Sequence, residues 1–198
     1  DCDVRLDGEH YGFASSNEGL KYTLEKGASI IDLYKDGEYS MPSVAKNKTF
    51  TINGNGENTI IKVAQPAGSE TLDGNIDFST VTFNKVRIVT GNTGHGYNNG
   101  FTRPASVTYN ECIIDGMYST INNHHTFNKC TFNQTGDRYN VWTWGAKTAT
   151  FTECTFNCDG KAMLLYGYGP TVLTMNDCVF NDNGGLADEL KAAIEIGN

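Results

Sequence analysis

Apolar and polar residues alternate along a short phrase that recurs five times in the chain. Each copy contains two short segments with period-two alternation, joined by a polar bend, which predicts half-buried β-strands. The bend has no glycine and the phrase continues forward, so the pattern favours the corner of a coil over a hairpin. The copies are Val81–Ile88, Val107–Ile114, Thr126–Phe132, Ala149–Phe156 and Leu173–Phe180.

A third strand-like segment ends in glycine in each later repeat, at Asn140–Gly145, Ala162–Gly167 and Ala193–Gly197. Aligning the glycines places six apolar residues on one face, which we expect to be the interior: Trp142, Trp144, Leu164, Tyr166, Ile194 and Ile196. The outward positions are then Val141, Thr143, Met163, Leu165, Ala193 and Glu195. Three strands per turn, stacked turn on turn, predict an all-β fold of the parallel β-helix type.

One slot of the phrase holds cysteine in four copies and Val86 in the fifth; the cysteines are Cys112, Cys130, Cys154 and Cys178. In stacked strands ~4.8 Å apart, parallel side chains hold the Cβ atoms slightly beyond relaxed disulfide range. We therefore predict four buried free thiols. Metal binding is the alternative, but separations of 18, 24 and 24 residues resemble no zinc pattern. The repeat pattern assigns no structural role to Cys2 or Cys158.

Asparagine recurs at the bend of the phrase, at Asn84, Asn110, Asn128 and Asn176, with Thr152 in the remaining copy. A second series follows the phrase, at Asn133, Asn157 and Asn181. Both series predict hydrogen-bonded ladders of stacked amides. We also expect the bend asparagines to adopt the left-handed backbone conformation that a sharp corner requires.

The first 28 residues differ from the repeats and predict a short helix. Ser15 and Glu18 form a capping-box pattern, Leu20 and Leu24 share one face, and Gly27 ends the helix. Such a helix would cover the open end of the coil. We expect one domain over residues 1–198, with residues 1–28 as the cap region, residues 29–198 as β-helix rungs, and the whole as a piece of a longer protein. The first strands are predicted at Ser29–Leu33 and Thr49–Gly54.

The composition of the chain argues against nucleic acid and membranes as binding partners. The 198 residues carry 15 Lys and Arg against 23 Asp and Glu, a net charge of −8, with no basic cluster. This balance disfavours nucleic acid and anionic membrane surfaces as partners. No run of 18 apolar residues is present, so membrane insertion is not expected.

The N-terminal stretch Ser29–Ala64, with turns at Asp36–Tyr39 and Ile52–Gly56, resembles the first coil of the pectate-lyase-like superfamily. The stretch Ser106–Asn198 resembles repeats of gut bacterial surface proteins and of phage fibre or decoration proteins. These resemblances imply a right-handed single-stranded parallel β-helix with a short N-terminal capping helix. They also imply an extracellular, cell-surface or virion location. The superfamily hosts lyases, hydrolases, adhesins and phage spikes, so the resemblance leaves activity open.

No catalytic constellation emerges from the sequence. Gly94-His95-Gly96 resembles a polygalacturonase motif, but the paired aspartates that accompany it in that family are missing. Glycosidases need two carboxyl groups ~5–9 Å apart, and the expected outward face of the third strand offers only Glu195. His124-His125 is interpreted as a solvated turn, with a metal site as the alternative. We assign no catalytic residue, metal or cofactor.

Aromatic, amide and charged residues in the loops between repeats are candidate ligand-binding residues: His95, Tyr97, Asn98, Asn99, Arg138 and Tyr139. Rings beside amides suit a glycan, while an ordinary polar loop edge is the alternative. We expect a non-catalytic structural or adhesive domain of a cell-surface or phage fibre protein, with cell-surface or dietary polysaccharide as its partner. A polysaccharide lyase or glycoside hydrolase is the alternative, and the oligomeric state is left open.

Overall fold

The computed structural model describes residues 3–8, 10–63, 80–90, 105–134, 139–167 and 169–197. Nearly all the regular elements in these ranges are β-strands. In chain order they are β1 (Val4–Leu6), β2 (Tyr11–Ala14), α1 (Asn17–Glu25), β3 (Ile30–Leu33), β4 (Gly37–Ser40), β5 (Phe50–Asn53), β6 (Thr59–Val63), β7 (Thr80–Asn84), β8 (Arg87–Thr90), β9 (Ser106–Asn110), β10 (Ile113–Asp115), β11 (Tyr118–Ile121), β12 (His124–Asn128), β13 (Thr131–Asn133), β14 (Val141–Trp144), β15 (Ala146–Thr152), β16 (Thr155–Cys158), β17 (Lys161–Tyr166), β18 (Pro170–Asn176), β19 (Val179–Asp182) and β20 (Ala192–Gly197). Ser43–Ala45 and Asp188–Leu190 form short 3₁₀ turns.

The strands form three sheets. The first sheet has nine strands in the order β1-β2-β3-β5-β7-β9-β12-β15-β18, and the second has seven in the order β4-β6-β8-β10-β13-β16-β19. The third has four, β11-β14-β17-β20. In the later part of the chain each passage, here called a coil, visits the first, second and third sheets in turn and then pairs in parallel with the preceding coil. The predicted all-β fold with mostly parallel sheets is confirmed, and this arrangement is compatible with a β-helix.

The alternating positions of the phrase fill the interior with columns of side chains. Phe83, Tyr109, Phe127 and Phe151 stack with ring centroids 5.3, 4.9 and 4.9 Å apart. A second column joins Phe132, Phe156 and Phe180 at 4.8 and 5.0 Å. These separations follow the ~4.8 Å spacing of neighbouring strands, so the sequence repeat translates directly into aromatic stacking.

The cysteine slot forms another interior column. Cys112, Cys130 and Cys154 are buried free thiols, whereas Cys178 in the last coil is a free thiol that is partly exposed. Each Sγ lies 3.4–3.5 Å from a carbonyl oxygen of the preceding coil, as Cys130 does from Tyr109 O at 3.4 Å. The predicted buried thiols are therefore confirmed at three positions and only in part at Cys178. Cys158 is also a buried free thiol, with its Sγ 3.6 Å from Asn181 O.

The second asparagine ladder is present in full, and the first is present as far as Asn128. In the first, Asn128 donates to Asn110, Asn110 to Asn84 and Asn84 to Asn53, each over 2.8–2.9 Å. In the second, Asn181 donates to Asn157 and Asn157 to Asn133, both over 2.9 Å.

The predicted left-handed conformation of the bend asparagines is wrong. The residue after each bend position has the positive φ, 52–53° at Lys85, Glu111, Lys129, Glu153 and Asp177. The asparagines themselves end strands of the first sheet, where stacking brings their amides into line. Among these residues with positive φ, Lys129 and Glu153 of neighbouring coils form an ion pair, with Nζ and Oε2 3.6 Å apart.

The predicted helix is present as α1, but its N-cap differs from the prediction. Ser16 accepts a hydrogen bond from the Gly19 amide over 3.1 Å, whereas Ser15 Oγ contacts Asp3. Gly27 follows the helix with φ +81°, as expected of a C-terminal glycine. Leu20 and Leu24 are fully buried in the main core, and the helix contacts β1, β2 and β3. Of the helices that the structure describes, none is long and apolar enough to cross a membrane.

Candidate functional site: an aromatic cluster on the outside of the third sheet

The strand register of the third sheet decides which of its residues face outward. Val141 pairs with Met163, which pairs with Ile194, and the first two are fully buried in the main core. The intervening residues form the opposite row, in which Trp142 pairs with Leu164 and Leu164 with Glu195. The row containing Trp142 and Leu164 therefore lies on the outer face.

The predicted orientation is thus wrong for β14 and β17, whereas in β20 Ile194 lies in the inner row and Glu195 in the outer row, as expected. Thr143, Val141 and Met163 were expected outside, yet all three have no exposed surface. Thr143 can be inside because its hydroxyl donates to Leu164 O over 3.2 Å, which satisfies the buried polar group. The glycine alignment also fails by one residue in the last coil, because Gly197 pairs with Tyr166 and not with Gly167.

A small hydrophobic cluster separate from the main core lies on this outer face. We call it the outer aromatic cluster; it contains Met117, Tyr139, Trp142 and Leu164, with Trp144 and Tyr166 packed against it. The Trp142 and Tyr166 rings stack with centroids 5.5 Å apart and planes inclined by 28°. Trp142 and Leu164 are buried, while Trp144 and Tyr166 keep part of their surface exposed. The cluster thus has a buried base and two partly exposed rings.

A glycine gives one of these rings its position. A Cβ added to Gly167 would lie 2.8 Å from Nε1 and 2.9 Å from Cδ1 of Trp144. The indole therefore lies directly over the backbone of the next coil, in space that any side chain would fill. Gly167 also has φ +61°, a conformation that glycine adopts without strain. Both properties explain why a glycine follows β17.

Polar groups border the cluster. Tyr139 Oη donates a hydrogen bond to Glu195 Oε2 over 2.7 Å, linking the segment before β14 to β20. Lys161 Nζ lies 5.3 Å from the centroid of the Tyr139 ring, a cation–π contact. Gln134 Nε2 donates to the Tyr139 carbonyl over 3.3 Å. The cluster therefore combines apolar ring surface with a carboxylate and an ammonium group.

The loop residues proposed from the sequence are placed as follows. Tyr139 is 4% exposed and belongs to the cluster, where its hydroxyl orients Glu195. Five further candidates lie outside the described residues: His95, Tyr97, Asn98, Asn99 and Arg138. The sequence does not identify Trp144 and Tyr166 as surface residues, because their apolar character predicts the interior. The signal that could have identified Trp144 is Gly167, whose missing side chain leaves room for the indole.

The histidine pair does not form a solvated turn. His124 and His125 begin β12, and His125 is fully buried with its ring 6.2 Å from that of Tyr118. His124 Nδ1 is 2.8 Å from Thr148 Oγ1 on the neighbouring coil. Within the described ranges no group of three or more His, Cys, Asp or Glu residues is arranged to hold a metal ion.

Comparison with known proteins gives no assignment. No protein-family model matches the chain, and neither a curated protein nor a solved structure matches it. The functional argument therefore rests on the geometry of the cluster.

Proposed function

We propose that this chain is a right-handed parallel β-helix domain of the pectate-lyase-like kind that binds polysaccharide without cleaving it. It would serve as an adhesive module of a cell-surface or phage fibre protein. The observation that carries the proposal is the outer aromatic cluster, with Trp144 and Tyr166 partly exposed on the outer face of the third sheet. A contiguous aromatic patch on a soluble surface is costly unless it meets a ligand.

The chemistry of the cluster suits a sugar ring. A pyranose has one face of C–H groups, which packs on a flat aromatic surface, and a rim of hydroxyl groups, which need hydrogen-bond partners. The Trp144 indole, flattened over Gly167, offers such a surface. Glu195, held by Tyr139, accepts hydrogen bonds, and Lys161 donates them. Neighbouring coils repeat the strand spacing, which suits a ligand that is itself a polymer.

Binding is proposed in preference to cleavage because of the composition of this site. Hydrolysis of a glycosidic bond generally needs two carboxyl groups on opposite sides of the bond. The polar contacts of the cluster contribute Glu195, whose Oε2 accepts the Tyr139 hydroxyl. This arrangement fixes the carboxylate in one orientation and supports a recognition role.

The test compares the intact domain with variants on a glycan array and in affinity electrophoresis with immobilised polysaccharides. Trp144→Ala and Tyr166→Ala should each weaken binding by about two- to tenfold, since each removes a stacking surface worth about 0.5–1.5 kcal/mol. Tyr34→Ala is the matched control, because Tyr34 is an exposed ring, 48% accessible, in the first coils. Equal binding by the Trp144→Ala variant would refute the assignment of the site.

A second readout separates binding from catalysis. Reducing-end release and unsaturated-product absorbance should stay at background when the domain is incubated with pectin and capsular polysaccharides. Product release that depends on Glu195 would instead support a lyase or hydrolase.

A further inference from the structure

A groove lies at the opposite end of the molecule from the last coil, between β1 and α1. This N-terminal groove has a volume of about 660 Å³, within the usual range of ligand sites. One wall is formed by strand residues and the other by the helix, and its lining is Asp3, Val4, Leu6, Glu18, Gly19, Lys21, Tyr22 and Glu25.

The strand wall is the edge of the nine-stranded sheet. β1 pairs antiparallel with β2, with Arg5 opposite Phe13, and the ladder continues with the Asp7 amide donating to Tyr11 O. Antiparallel ladders alternate, so the main-chain N–H and C=O of Leu6 point away from β2, toward the outer edge. Such an edge is a template for one more strand.

The helix wall supplies charge and an aromatic ring. Glu18, Tyr22 and Glu25 lie on one side of α1, and Tyr22 is 45% exposed. Together with Asp3, the lining has three carboxylates and the ammonium group of Lys21, while Lys26 Nζ lies 5.4 Å from the Tyr22 ring centroid. Lys21 Nζ is also 4.0 Å from Glu25 Oε1. The groove is therefore net acidic.

Gly19 sets the separation of the two walls. A Cβ at this position would lie 2.8 Å from Asp3 O and 3.0 Å from Val4 Cγ2, so helix and strand touch there. The groove therefore closes at Gly19, where the helix wall meets the strand wall. This is the form of a slot for an extended chain.

We propose that the N-terminal groove binds a basic peptide in extended conformation, which adds to β1 as an antiparallel or parallel strand. Main-chain hydrogen bonds to Leu6 would provide affinity, and lysine or arginine side chains of the peptide would meet Glu18, Glu25 and Asp3. This proposal concerns a different surface from the polysaccharide site and does not depend on it.

The experiment uses the whole domain and two synthetic peptides, one with lysine alternating with threonine and one with glutamate in place of lysine. Isothermal titration calorimetry should detect the lysine peptide and not the glutamate peptide. At saturation with the lysine peptide, hydrogen exchange of the Leu6 amide should slow by about tenfold or more, because a new hydrogen bond protects it. Unchanged Leu6 exchange, or equal binding of both peptides, would overturn the proposal.

Variants test the helix wall of the groove. Glu18→Lys combined with Glu25→Lys should lower affinity for the lysine peptide by about tenfold or more, while Glu57→Lys, an exposed acid elsewhere, should leave it unchanged. Tyr22→Ala removes an exposed ring and so leaves the fold intact; it should also weaken binding. Thermal unfolding of every variant verifies folding, and full affinity in both groove variants would refute the site.

Discussion

Asn133 Nδ2 donates a hydrogen bond to Asp115 Oδ1 over 2.9 Å, and this contact ends the second amide ladder at a carboxylate. Arg87 Nε donates to the other oxygen of Asp115. The first ladder ends in the same way, because Asn53 donates to Asp32 Oδ1 and Tyr11 to Asp32 Oδ2. A carboxylate only accepts hydrogen bonds, so it gives each ladder a direction and closes its N-terminal end.

Replacing this terminating carboxylate should destabilise the protein. In Asp115→Asn the amide oxygen can face Asn133 or Arg87, and the amide nitrogen then confronts the other donor. We expect the free energy of unfolding to fall by about 1–3 kcal/mol, measured as a lower urea midpoint. Asp188→Asn is the control, since the side chain of Asp188 is 96% exposed. Equal midpoints for the two variants would contradict a structural role for the ladder end.

The Tyr109–Tyr118 pair should make the protein sensitive to alkali. Their hydroxyl oxygens are 2.5 Å apart inside the core. Burial, reinforced by Tyr118, raises the pKa of Tyr109 well above its ordinary 10.0. Below that ordinary pKa both folded and unfolded states keep the proton and the stability is complete. As the pH rises further, the unfolded state loses the proton first, so the free energy of unfolding should decrease.

Two variants isolate this effect in urea titrations at neutral and alkaline pH. Tyr109→Phe should reduce the alkaline loss of stability, because Phe83 and Phe127 show that the column accepts phenylalanine. Tyr109→Phe with Tyr118→Phe should recover stability relative to the single variant at neutral pH, since both members of the buried hydroxyl pair are then removed together. An unchanged alkaline dependence in Tyr109→Phe would exclude this residue as the cause.

Thiol labelling should distinguish the four column cysteines. We expect slow labelling of Cys112, Cys130 and Cys154, each 1% exposed, and faster labelling of Cys178 at the end of the column. Hydrogen bonding to the neighbouring thiols, together with burial, raises the pKa of Cys130, which further reduces its reactivity. Mass spectrometry after timed alkylation gives the rates, and rapid labelling of all four would exclude a closed interior.

Substitution at the same column gives a second measure. Cys130→Ser should lower the free energy of unfolding by about 1–3 kcal/mol, because the shorter C–O bond withdraws the hydroxyl from the carbonyl acceptors. Cys130→Val should cost less than about 1.5 kcal/mol, since Val86 occupies the equivalent buried slot. The reverse order of the two variants would disprove an apolar role for the slot.

The N-cap of α1 gives a local test. Ser16→Ala should lower the free energy of unfolding by about 1 kcal/mol, because the Gly19 amide loses its acceptor. Ser15→Ala should have a smaller effect, since its hydroxyl makes an exposed contact with Asp3. Thermal unfolding monitored by circular dichroism compares the two, and a larger loss in Ser15→Ala would contradict the cap assignment.

Features that depend on the repeat phase could be predicted from the chain alone. Equivalent residues of successive coils must lie in one column when parallel strands pair in register, so the cysteine slot and both asparagine series follow from spacing. The ladder ends at Asp32 and Asp115 do not follow, because their residue type differs from that of the series. The predicted N-cap, Ser15, precedes the observed one, Ser16, by one residue. The two side chains are chemically identical, and only the backbone path selects between them.

The alternation of residues therefore determined by itself that the later strands have two distinct faces and which residues of one strand share a face. It did not determine which face is inside. In the third strand both faces are largely apolar, so hydrophobicity alone cannot choose between the row of Val141 and the row of Trp142. Tertiary structure decides, because the direction in which the corner turns places Val141 and Met163 against the core and leaves Trp144 and Tyr166 outside.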